Sequence, residues 1–149
     1  MEKLLKTAQS LFKEAPNNIA LLANASAFIM DNFPYLNWVG FYLKSDNYLI
    51  LGPFQGKVAC EKILINEGVC GKAFFNNEVI AVNDVNLFDG HISCDSNSKS
   101  ELVVPLVKNN HKIGVLDLDS YLFKRFDEET INAVKAIVNA LMGSYNFSS

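Results

Sequence analysis

Nowhere does this sequence concentrate lysine or arginine. Its 13 basic residues are set against 16 acidic ones, the formal net charge is −3 and the isoelectric point lies near 5.3. A nucleic-acid footprint needs a basic stripe or patch, so that class of partner is excluded. Long apolar runs are missing too. Leu4-Leu5 and the stretch Ile19–Met30 are too short and too interrupted to span a membrane. The N-terminus, Met1 to Lys6, lacks an apolar core and a small-residue cleavage site, so no signal peptide is expected. Cysteine occurs three times and never as C-x-x-C, which argues against structural zinc; no metal or cofactor is expected. An odd cysteine count without a secretion signal points to a reducing, cytoplasmic setting. Thiols there are reactive, ligating or inert rather than permanent bridges.

What is present is a chain of 149 residues, half of them hydrophobic and 11% aromatic. That is one domain, 1–149, with enough apolar surface for a substantial core. The three cysteines crowd into residues 60–94, as Gly56-Lys57-Val58-Ala59-Cys60, Gly68-Val69-Cys70-Gly71 and Gly90-His91-Ile92-Ser93-Cys94-Asp95. Two sit in glycine-flanked, turn-like sequence and the third in a polar stretch, whereas a structural cysteine usually sits in an apolar run. Cys60 follows Val58-Ala59 and Cys70 opens an apolar helical stretch, so packing as small hydrophobes stays open for both. A helix N-terminus would also lower the pKa of Cys70. Cys94 has little apolar company beyond Ile92 and is the strongest nucleophile candidate. His91 and Cys94 have ligand-like spacing, which keeps a metal in view, although a loop histidine more often serves as a hydrogen-bonding group.

Apolar spacing predicts helices over about 2–14 and 19–32, the second capped by Asn17-Asn18 and stopped by Pro34. Trp38–Leu43 and Tyr48–Phe54 are rich in aromatic and β-branched residues and read as a β-hairpin. A short helix over Gly68–Phe75 and a strand over Val79–Val82 follow. Residues 83–100 form a long polar loop, of a length that is usually functional or disordered in a compact domain. Glu101–Val107 and Lys112–Asp119 make a second hairpin. The last helix starts at Asp127, carries Glu128 and Glu129 in its first turn, and is expected to stop at Gly143. The fold class is α+β: an antiparallel sheet with helices packed on one face and a ligand pocket on the other, roofed by the 83–100 loop.

Asp117 and Asp119 are two apart in a strand and share a face, while Leu116 and Leu118 point to the core. Two adjacent carboxylates persist if they are solvated, neutralised by a cation, or partly protonated. A two-residue Asn109-Asn110 loop pairs Lys108 with His111 and puts Glu101 opposite Leu118, on the wrong face. A three-residue loop or one bulge, with Pro105 marking an irregularity, is expected to bring Glu101 opposite Asp117. A plain solvated sheet face would also account for the three acids. Trp38 and Tyr42, four apart in a strand, also share a face, and simple core packing would explain them.

The cysteine-bearing strings above, with Gly52-Pro53-Phe54-Gln55, Lys99-Ser100-Glu101 and Gly114-Val115-Leu116-Asp117-Leu118-Asp119-Ser120, resemble the free methionine-(R)-sulfoxide reductases, which are GAF-domain enzymes. The resemblance runs from about Trp38 to Ser120 and the flanking helices fit it. It implies that Cys94 is the nucleophile, Cys60 the main resolving thiol and Cys70 an alternative or auxiliary one. It implies that Glu101, Asp117 and Asp119 hold the substrate and its sulfoxide oxygen, and that Trp38 and Tyr42 form an aromatic pocket wall. It further implies a cytoplasmic homodimer acting on free methionine-(R)-sulfoxide and recycled by thioredoxin. The rival class is a non-catalytic GAF domain that senses a small ligand; the Asn-Lys…Phe…Asp-Glu pattern of cyclic-nucleotide GAF domains is not found.

Overall fold

Local signals place the first two helices as expected. In the computed structural model, which describes residues 1–92 and 97–148, α1 (Glu2–Lys13) buries Ala8 and Phe12. Asn17 caps α2 (Asn18–Asn32) by accepting a hydrogen bond from the Ala20 amide at 2.9 Å. The chain then enters strand β1 (Leu36–Ser45), turns at Asp46-Asn47 with Asp46 at φ +53°, and returns as β2 (Tyr48–Gln55). A three-residue strand β3 (Lys62–Leu64) follows, then α3 (Gly68–Asn76), β4 (Ile80–Val82) and a 3₁₀ turn at Val85–Leu87. The second hairpin is β5 (Ser100–Lys108) and β6 (His111–Ser120). Its turn residues Asn109 and Asn110 both have positive φ, as a tight two-residue hairpin turn requires. Asp127 caps α4 (Glu128–Ser144) through the Thr130 amide at 2.8 Å.

The six strands form one antiparallel sheet in the order β3-β2-β1-β6-β5-β4. Alternation sends neighbouring residues to opposite faces. Val39, Phe41, Leu102, Val104, Leu106, Leu116 and Leu118 meet α1, α2 and α4 in one buried cluster. Trp38, Tyr42, Val103 and Val115 point the other way, against Val69, Cys70, Ala73 and Phe74 of α3. So α3 packs on the pocket face, opposite the other three helices.

Three expectations are corrected. The short strand β3 was not foreseen. Gly143 lies inside α4 instead of ending it. The bulge in the second hairpin falls on β6, not on the Pro105 side: Val107 pairs with Lys112 and Leu106 with Gly114, leaving Ile113 as the extra residue. Gly114 permits this, because a Cβ there would lie 2.1 Å from the Tyr42 carbonyl oxygen. The shift therefore runs the other way, and Glu101 stands opposite Asp119, with Val103 opposite Asp117. Glu101 still reaches the face of the two aspartates.

Candidate active site

Register on the pocket face builds the site. Trp38 of β1 lies opposite Asp119 of β6, which lies opposite Glu101 of β5, so an aromatic ring and two carboxyls form one row across three strands. The next row is Gly40, Asp117 and Val103. Gly40 leaves the space that Trp38 fills: a Cβ there would be 2.6 Å from Trp38 Cη2 and 2.3 Å from Phe54 Cβ. The indole stacks between Phe54, at 5.2 Å between ring centroids, and Tyr42, at 5.9 Å. Core packing and a pocket wall are thus the same feature here.

Both wall residues also hold the segment that carries Cys60. Trp38 Nε1 donates to the Lys57 carbonyl at 3.1 Å, and the Tyr42 hydroxyl donates to the Cys60 carbonyl at 2.8 Å. Gly56 makes the first contact possible. It sits at φ +134°, and a Cβ there would come within 2.5 Å of Trp38 Cδ1. Burial first, then the charge of Asp117, pushes the Tyr42 phenol well above its usual range, so it stays a donor.

A pocket of about 500 Å³, its mouth included, opens between this sheet face, α3 and the described parts of the 83–100 loop. Its lining includes Trp38, Tyr42, Cys70, Glu101, Asp117 and Asp119. The three acids are buried, exposed by only 6%, 6% and 9% for Glu101, Asp117 and Asp119, so the solvated-face reading fails. Burial, then the charges of Asp119 and Glu101, pushes the Asp117 carboxyl well above the ordinary aspartate range. One Asp117 oxygen, Oδ1, is buried with no hydrogen-bond partner among the described residues. Cys70 lies in the first turn of α3, its Sγ 4.0 Å from Glu101 Oε2. Burial and then Asp117 push this thiol well above its ordinary value, which overrides any lowering by the helix end. His91 Nε2 is 3.6 Å from Glu101 Oε1.

Residues 8–144 match the GAF domain family. The free methionine-R-sulfoxide reductase of Escherichia coli (strain K12) is 50% identical over 123 residues, covering 83% of this chain and 74% of that protein. The reduced form of the Staphylococcus aureus protein fRMsr superposes with a TM-score of 0.93 at 47% identity, over 97% of this chain and 94% of that one. The chain belongs to the free methionine-R-sulfoxide reductase family. A family member from Neisseria meningitidis, solved in complex with its substrate, superposes with a TM-score of 0.92 at 36% identity, over 97% of this chain and 87% of that one.

Of the residues singled out from the sequence, the fold brings Trp38, Tyr42, Cys70, Glu101, Asp117 and Asp119 to one pocket. Cys60 follows the pocket residue Ala59 and is disulfide-bonded, whereas Cys70 is a free thiol. Cys94 lies outside the described residues. Sequence reasoning gave His91 no place beside Glu101 and missed Glu67 and Ser98, which also line the pocket. The polar character of the 83–100 loop was the available signal for His91 and Ser98; Glu67 carried none. No helix among the described residues is long and apolar enough to cross a membrane.

Proposed function

We propose that this chain reduces free methionine-(R)-sulfoxide to methionine. The observation that carries this reading is the row of Trp38, Asp119 and Glu101 beside Asp117, with the Cys60 segment hydrogen-bonded to the same aromatic wall. A sulfoxide sulfur is electrophilic, and its oxygen departs only when protonated. Cys94 as thiolate attacks the sulfur while a carboxylic acid donates its proton to the oxygen. Methionine leaves and Cys94 becomes a sulfenic acid. The Cys60 thiol then attacks that sulfur, water leaves and a disulfide forms. A thioredoxin-type dithiol returns the two electrons by exchange.

The electrostatics support Asp117 as the acid. It favours its protonated form because it is buried and, second, because two further carboxyls crowd it. On this reading Glu101 and Asp119 receive the substrate's ammonium, which a peptide-bonded methionine lacks, and the Trp38–Tyr42 wall takes its methyl group. Cys70 acts as an auxiliary thiol: buried among acids, it stays protonated while Cys60 does the resolving. The family resemblance supports extending this reading to a homodimer working in the cytoplasm.

The test is NADPH consumption in a thioredoxin-coupled assay with the free R and S sulfoxides in parallel. Turnover on R alone is expected. No turnover on either, with the thiols shown to be reduced, would replace the enzyme by a ligand-sensing GAF domain.

A further inference from the structure

Among the described residues, Cys70 Sγ, a Glu101 carboxyl oxygen and an Asp117 carboxyl oxygen all lie within 4.8 Å of one another, and all three residues are buried. This is one sulfur and two oxygens converging on a single point from three elements: α3, β5 and β6. Crowding of this kind is relieved by protonation or by a positive charge between the groups. A second observation points to a missing ligand. Asp117 is 6% exposed, lines the pocket, and leaves Oδ1 without a hydrogen-bond partner among the described residues. His91, which lines the same pocket, has its Nε2 3.6 Å from Glu101 Oε1, the carboxyl oxygen turned away from Cys70, and can close on it as an outer partner of a metal-bound carboxylate.

The geometry points to a binding site for a borderline divalent cation, zinc or cobalt, held by Cys70, Glu101 and Asp117, with the fourth position open to water. A mixed sulfur–oxygen set selects such ions over magnesium or calcium, which take oxygen alone. Metal–sulfur bonds of about 2.3 Å and metal–oxygen bonds of about 2.0 Å put tetrahedral ligand atoms roughly 3.3–3.6 Å apart. The cluster therefore closes by about an ångström, within the reach of side-chain rotation. Binding exchanges the Cys70 S–H bond for a sulfur–metal bond and releases that proton; no electrons move. The ion would occupy the position where, on the reductase reading, the substrate meets Glu101 and Asp117. It would therefore act as a reversible inhibitor. That consequence rests on the proposed function, but the binding does not.

The experiment is cobalt titration of the full chain carrying Cys60→Ser and Cys94→Ser, so that Cys70 is the sole thiol. A thiolate-to-cobalt charge-transfer band saturating at one equivalent is expected, with tetrahedral visible bands, proton release, and displacement of cobalt by zinc. Adding Cys70→Ala should abolish the band and weaken binding at least about tenfold, the lower end of what loss of even an outer-shell partner costs. Glu101→Gln, which keeps the thiol, should weaken binding while retaining the band at saturation. No band at any cobalt concentration, or equally tight binding with and without Cys70, would overturn the site. Free methionine-(R)-sulfoxide should compete with cobalt. A cobalt site that forms but ignores the sulfoxide would uphold the metal site and count against the substrate pose alone.

Discussion

Tyr42 has two jobs, and they can be separated. Its ring stacks on Trp38 in the pocket, and its hydroxyl holds the Cys60 carbonyl. Tyr42→Phe keeps the ring and removes the tether. One hydrogen bond is worth about 0.5–1.5 kcal/mol net, so disulfide formation should slow roughly two- to tenfold if the tether positions Cys60. Rapid quench with a sulfenic-acid trap would show the intermediate accumulating in the variant. Disulfide formation at the native rate would remove the tether from the mechanism.

At the scale of elements, β6 carries most. Its Leu116 and Leu118 are fully buried on the helix face while Asp117 and Asp119 face the pocket. Leu116→Ala leaves a cavity between sheet and helices and should cost about 2–5 kcal/mol. A denaturant midpoint shifted down at unchanged slope would show it. The alternation of β6 was legible because leucine and aspartate take turns strictly along it. The caps at Asn17 and Asp127 were legible because each side chain answers to an amide three residues on. β3 was not, since Lys62-Ile63-Leu64 has no periodicity of its own and becomes a strand by pairing with β2. The direction of the β5–β6 shift was not either. It is set by Gly114 lying against the Tyr42 carbonyl of β1, a contact between residues far apart in sequence. The site acids were gathered correctly despite this, because an odd shift of either sign returns Glu101 to their face.

For the whole molecule, the pocket places a pH dependence on stability. Asp117 binds its proton more tightly folded than unfolded. Between its unfolded pKa, about 3.9, and its raised folded value, the folded chain holds a proton the unfolded chain has lost, so stability falls as pH rises through that window. Asp117→Asn should flatten the fall, raising Tm at pH 8 more than at pH 5, at the expense of activity. Scanning calorimetry at the two values decides it; superimposable native and variant profiles would reject the assignment. The same sheet that creates this burden also confines it. Residues adjacent along β6 belong to two different buried clusters, one on each face of the sheet. Substitutions on the pocket side can therefore alter ligand chemistry while the helix-side cluster keeps its own packing. A change of small-molecule specificity on this scaffold thus begins with half of its core already secured.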